Sequence, residues 1–287
     1  MKDLLVPVPN GHINAWHRPA SPGSPTAVLI HGLTGTSRWM SRVINHLPAD
    51  MGVISLDVRG RGQSWQAPPP YDLATIADDV ARSLDHLDLE AAIVAGYSMG
   101  AWVAGMFAQR HTHRTHRIVL LDGGLPIELD RSRDPKEILD DVVGPSMARL
   151  EMSFDSPEAY YDFWRRHPAL EAVWDPAMED ILSYDLHQVD NAWRVRANPD
   201  AIIESGGGFA LDPEVNEAAA KTPLPATLVY VDHGLVGEPG GFIPQETAEA
   251  AAATNPNIGL LLLKGLNHYT LVFGDGASVV ASVVASE

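Results

Sequence analysis

Five residues, Gly96-Tyr97-Ser98-Met99-Gly100, constrain this chain more than any other stretch. They follow an apolar run, Ala91 to Ala95, and open a small-residue run, Ala101 to Ala108, that reads as a helix. A Gly-x-Ser-x-Gly between strand and helix makes a turn so tight that the serine takes a strained backbone conformation. Glycine at 96 and 100 lets neighbouring backbone pack where a Cβ would clash. The strain pushes the Ser98 hydroxyl out at the carboxyl end of a sheet. The following helix points its unpaired N–H groups and partial positive charge at the same spot. A hydroxyl there can attack a carbonyl, and the resulting oxyanion can be held. Three fixed positions in five recur by chance, so the rest of the chain must supply the other parts in the right order.

The chain around this turn alternates. Residues 4–8 and 12–17 read as two strands joined at Asn10-Gly11, a hairpin signal. Thr26 to Ile30 is a short continuous apolar run, the mark of a strand buried on both faces, and ends at His31-Gly32-Leu33-Thr34-Gly35. A helix is expected near 38–47, then a strand over Val53 to Leu56 and a helix over Leu73 to Leu87. After the Ser98 turn and its helix, a strand over 117–121 ends at Asp122. The alternation then stops: residues 125–222 hold no convincing strand, and Gly206-Gly207-Gly208 reads as a hinge or bend returning to the core. It resumes with a strand over Ala226 to Val231, a helix near 245–253, a strand over 258–263, a loop carrying His268, and a last helix near 276–285. This predicts an α/β class with a mostly parallel central sheet and helices on both faces. Residues 1–124 and 223–287 form the core, and 125–222 a helical cap, or lid, inserted over the strand ends where open α/β sheets bind ligands.

The whole chain resembles the α/β-hydrolase fold family. The resemblance rests on His31-Gly32, on Asp57-x-Arg59-Gly60-x-Gly62-x-Ser64, on Gly96-Tyr97-Ser98-Met99-Gly100 and on His268, each after a predicted strand. It implies a serine hydrolase of the esterase or lactonase kind, with Ser98 as nucleophile and His268 as base, following the family order of serine, acid, histidine. His268 stands out among 12 histidines by its position after the last strand. Many members carry the acid a few residues past the strand at 226–231, near Leu235 here, where no carboxylate stands. A subset of the family places it at the position of Asp122, which is favoured, with Asp232 and Glu238 as alternatives. The resemblance also makes the Leu33 and Met99 backbone N–H groups the oxyanion donors and His31 a loop-bracing residue. Asp57, Arg59 and Ser64 read as braces of a tight turn, through hydrogen bonds and charge pairing. The lid concentrates Trp164, Trp174, Trp193, Tyr160, Tyr161, Phe154 and Phe163, which either form its own small core or line a cleft.

Composition closes other routes. With no cysteine there is no thiolate nucleophile, disulfide or thiolate metal site. The formal charge of −17 opposes nucleic-acid binding, which needs clustered Lys and Arg. The N-terminus lacks the apolar run of a signal peptide, and no stretch has the length of a membrane span, so a cytoplasmic location is expected. No cofactor and no metal is called for; His111, His113 and His116 lack a matching carboxylate spacing. The expected partner is a small, largely apolar or aromatic substrate, and a homo-oligomer stays open. Serine rather than aspartate at the turn argues against epoxide hydrolase and haloalkane dehalogenase chemistry. Carbon–carbon bond hydrolysis of ring-cleavage products and cofactor-free perhydrolysis stay as alternatives, as does a non-catalytic receptor on the same scaffold.

Overall fold

The computed structural model describes residues 1–127 and 133–286. An opening hairpin, β1 (Lys2–Val8) and β2 (Gly11–Arg18), turns at Asn10, whose φ is 62°. β3 (Thr26–Ile30), α1 (Ser41–His46), β4 (Gly52–Leu56), α2 (Leu73–His86), β5 (Ala92–Tyr97), α3 (Met99–Arg110) and β6 (Thr115–Leu121) follow. Five helices come next: α4 (Pro135–Glu151), α5 (Pro157–Arg165), α6 (Ala177–Ser183), α7 (Pro199–Leu211) and α8 (Pro213–Glu217). A hairpin, β7 (Leu186–Val189) and β8 (Ala192–Val195), interrupts them. The chain closes with β9 (Ala226–His233), α9 (Gln245–Thr254), β10 (Ile258–Asn267), α10 (Thr270–Phe273) and α11 (Gly276–Ala285).

Eight strands form one sheet in the order β1-β2-β4-β3-β5-β6-β9-β10. The β1–β2 and β2–β4 pairs are antiparallel and all the others parallel. β3, β4 and β5 are buried at every residue, which is why they read as unbroken apolar runs. Successive side chains of β3 serve opposite faces. Val28 and Ile30 pack with Val80 and Leu84 of α2 and with Trp102 and Phe107 of α3. Ala27 and Leu29 pack with Val43 of α1 and with Val280 and Val284 of α11. The predicted α/β sheet with helices on both faces is present.

The insertion departs from its expected all-helical character. Leu186 pairs with Val195 and Val189 with Ala192, giving a two-stranded ribbon. A further bridge joins it to Phe154, whose backbone exchanges hydrogen bonds of 2.9 and 2.7 Å with Trp193. Gly206-Gly207-Gly208 is no bend; it lies inside α7, where a Cβ at Gly208 would come 3.1 Å from Leu73 Cδ1 of α2. The glycines weaken the helix intrinsically, but Gly208 lets it pack closely on α2. Among the described residues no helix is long and apolar enough to cross a membrane.

Candidate active site

The elements above bring four loops to one end of the sheet. Ser98 sits between β5 and α3 with φ 54° and ψ −123°, a strained conformation for a residue with a Cβ. The turn tolerates no larger neighbour: a Cβ on Gly96 would lie 1.9 Å from the Gly100 carbonyl oxygen, and one on Gly100 would lie 2.3 Å from that of Ile30. The Ser98 amide is tied to the Leu121 carbonyl at 2.8 Å, which locks the turn to the end of β6.

His268 follows β10. Asn267 Oδ1 accepts from the Tyr269 and Thr270 amides at 3.0 and 2.9 Å and shapes the loop. The Tyr97 hydroxyl donates to the His268 carbonyl at 3.1 Å. The imidazole is buried and lies between the rings of Tyr97 and Phe242, with centroids at 4.9 and 5.1 Å. Its Nδ1 is 2.7 Å from Asp122 Oδ2. A carboxylate only accepts, so Nδ1 carries the proton and Nε2 is left as an acceptor. Asp122 is fully buried at the end of β6, and its Oδ1 has no hydrogen-bond partner among the described residues.

The other two carboxylates go elsewhere. Asp232 accepts from the His233 ring at 2.9 Å and from the Gly265 amide at 2.8 Å. Desolvation alone would raise its carboxyl, but these hydrogen bonds and the His233 charge together hold it below the usual range. Glu238 accepts from the Val236 amide at 2.9 Å within its own loop. Leu235, at the position where the resemblance leads one to expect the acid, lines the cavity instead.

Ser98 and His268 face one cavity of about 30 Å³, walled by Leu33, Trp39, Tyr97, Leu235 and Tyr269. The serine and imidazole are not hydrogen-bonded to each other. Phe242, beside His268, also borders a second cavity of about 760 Å³ lined by Ile127, Ile243, Pro244 and Ala250.

The loop after β3 supplies Leu33. The oxygen of the Gly32–Leu33 peptide accepts from the Gly35 amide at 3.1 Å and from His31 Nδ1 at 2.7 Å. His31 Nε2 in turn accepts from the Val58 amide at 3.2 Å. Accepting at Nε2 requires a neutral imidazole, and burial pushes the His31 pKa down to about 4. Neither the Leu33 nor the Met99 amide donates a hydrogen bond among the described residues. Met99 opens α3, where no intrahelical acceptor exists. Both N–H groups therefore stand ready for an acceptor.

Asp57, Arg59 and Ser64 lie behind this loop, all buried. Asp57 accepts from the Ser37 and Gln63 amides at 2.7 and 3.0 Å and from the Tyr184 hydroxyl at 2.7 Å. Ser64 Oγ donates to the Asp57 carbonyl and accepts from the Asn14 amide, both at 2.7 Å. The charge pairing expected within this turn runs elsewhere: Arg59 forms a two-pronged pair with Asp79 of α2.

Sequence reading missed how the insertion is fastened to these loops. Arg149 of α4 donates to the Thr34 carbonyl at 2.7 Å and to the Tyr160 hydroxyl at 3.2 Å. Asp185 accepts from Thr36, Trp39 and Tyr160 at 2.9 to 3.2 Å. Both Arg149 and Asp185 are fully buried. The Gly60 carbonyl and Gly62 amide bond the Asn198 amide and Arg196 carbonyl at 2.8 and 3.0 Å. The insertion's aromatic residues form no separate core. Trp164 packs edge-on against Trp39 and Tyr269, with centroids at 5.6 and 5.7 Å. The aromatic residues that border the cavity, Trp39, Tyr97 and Tyr269, come from outside the insertion.

Comparison with known proteins agrees with the architecture. The family described as α/β hydrolase fold matches residues 25–156. An AB hydrolase superfamily protein of Bacillus subtilis is 31% identical over 138 residues, 46% of this chain and 51% of its own. The chain thus spans about half the length of that curated relative, and less of some others. Among solved structures, E-2-(acetamidomethylene)succinate hydrolase superposes with a TM-score of 0.81 at 19% identity, covering 98% of this chain and 97% of its own. The thioesterase domain from the curacin biosynthetic pathway superposes with a TM-score of 0.75 at 19% identity, covering 100% and 99%. At that identity the likeness shows the fold alone. The sheet order, the strained Ser98 turn and the match over residues 25–156 agree: the chain has the α/β-hydrolase fold.

Proposed function

We propose that the chain is a serine hydrolase that cleaves a carboxylic ester or lactone of a small, largely apolar or aromatic molecule through an acyl-enzyme. The observation that carries this reading is the imidazole held by Asp122 at 2.7 Å and facing the same cavity as the strained Ser98.

His268 Nε2 takes the Ser98 proton as Oγ attacks the substrate carbonyl. The carbonyl π pair moves to oxygen, and the Leu33 and Met99 amides hold the oxyanion. Asp122 keeps the imidazole in the required tautomer and stabilises the imidazolium. When the intermediate collapses, the C–O bond to the alcohol breaks and His268 protonates the departing oxygen. A water, deprotonated by the same nitrogen, then attacks the acyl-enzyme, and the acid leaves as Ser98 regains its proton. The narrow cavity beside Ser98 supports a small acyl group, with apolar walls favouring apolar substrates.

Turnover of p-nitrophenyl acetate and butyrate tests this, with Ser98→Ala as control and fluorophosphonate labelling read by mass spectrometry. Turnover lost in Ser98→Ala, with Ser98 as the labelled residue, is the expected result. Hydrolysis that survives in Ser98→Ala removes Ser98 from the reaction. Binding of these esters without turnover points to a receptor on the same scaffold.

A further inference from the structure

Arg61 belongs to the loop after β4 and is completely buried. Its Nε donates to the Leu33 carbonyl at 2.9 Å. Nη1 donates to the Arg59 carbonyl at 2.8 Å and to Ser205 Oγ of α7 at 3.1 Å. Nη2 lies 3.8 Å from Met99 Sδ, a weak acceptor. Every one of these partners is neutral. The contrast with Arg59, two residues earlier and paired with Asp79, is direct.

A buried guanidinium without a carboxylate is costly, and packing the same volume with apolar groups is often no less stable. Desolvation pushes its pKa down accordingly, to about 9. Bracing the turn gives no reason to keep a charge there, since a neutral donor could satisfy the same carbonyls. The identity of the partners gives one. Leu33 and Met99 are the two residues whose amides donate no hydrogen bond among the described residues and are the proposed oxyanion donors, and this one side chain touches both residues.

We propose that Arg61 is a positioning residue for the oxyanion site, pinning the Leu33–Thr34 peptide, directly after the one that carries the Leu33 amide, and the Met99 side chain in register, and setting an uncompensated positive charge close to both donor residues. This rests on the serine-hydrolase reading given above. The charge is fixed before substrate arrives and lies in a low-dielectric surround, so it favours the anionic intermediate over the neutral ester. The effect belongs on kcat, because binding of the uncharged ground state gains little from it.

The test compares wild type, Arg61→Met and Arg61→Lys on p-nitrophenyl acetate, with trifluoroacetone as an inhibitor whose serine adduct carries the oxyanion. Arg61→Met is expected to lower kcat about 10- to 100-fold with KM within about threefold, and to weaken trifluoroacetone in parallel. Arg61→Lys keeps the charge and is expected to recover part of both losses. Folding is checked by near-ultraviolet circular dichroism. If Arg61→Met does not fold, Arg61→Lys is read alone, with a parallel kcat and inhibitor loss as support. A kcat within threefold of wild type overturns the proposal, and so does a kcat loss without any change in trifluoroacetone affinity. Full activity in the Arg61 variants beside an inactive Ser98→Ala defeats the role of Arg61 alone. Activity that persists in Ser98→Ala defeats the underlying reading.

Discussion

Asp122, at the end of β6, reaches His268, after β10, across the intervening strand β9, with Oδ2 and Nδ1 2.7 Å apart. The span is possible because Asp122 adopts φ 46° and because glycine follows it. A Cβ on Gly123 would come 2.4 Å from the Ser98 carbonyl oxygen.

That link predicts the ranking of the carboxylates. Asp122→Asn should lower kcat by about 10²–10⁴ with thermal unfolding little changed, since the amide permits the wrong imidazole tautomer. Asp232→Asn and Glu238→Gln should stay within about threefold, as their partners are His233, Gly265 and Val236. Steady-state kinetics on the p-nitrophenyl esters decides, and the reverse ranking would move the acid to β9 or its loop.

Gly96→Ala should cost at least about 3 kcal/mol of stability, because its methyl group meets the Gly100 carbonyl at 1.9 Å and neither backbone can retreat. Urea unfolding midpoints measure this. A variant as stable as wild type would mean that the turn is not as tight as described.

His31 gives stability a pH dependence of definite sign. Its pKa is about 4 in the fold against 6.5 unfolded, so between those values the unfolded chain binds more protons. Stability therefore falls as pH drops through this window, by up to about 3 kcal/mol for this group. His167, also pushed down to about 4 by burial beside Arg149, adds in the same direction. Asp185, raised to about 6 by burial, opposes them in the lower part of the window. Denaturant titrations from neutral to acid pH should show a shallower slope in His31→Gln than in wild type. An identical slope would remove His31 from the acid response.

Arg59→Ala should destabilise by about 3 kcal/mol, since it leaves Asp79 buried with only the partly exposed Arg82 at 3.1 Å. Arg59→Ala,Asp79→Leu should regain part of that loss. Equal destabilisation in the double variant would show that the pair matters for packing rather than charge.

The sheet and the loop positions were legible because buried parallel strands leave unbroken apolar runs, as Thr26 to Ile30 does, and because each loop of the candidate site follows one. The pairing of Asp122 with His268 was approachable only through the missing carboxylate at Leu235. β7 and β8 escaped because each is four residues long with a single buried side chain, Leu186 or Val195. The Asp190-Asn191 pair between them, with Asp190 at φ 53°, was the available turn signal. Gly206-Gly207-Gly208 misled because propensity argues against helix there, whereas packing against α2 decides. Arg61 gave no signal at all: burial without a counter-charge is a tertiary property.

The buried fastening of Arg149 and Asp185 to Thr34, Thr36 and Trp39 has a consequence for descent and engineering. A foreign segment spliced between β6 and β9 would strand those polar atoms in a dry interior. The segment and the stretch following β3 must therefore be inherited, or transplanted, as a matched set.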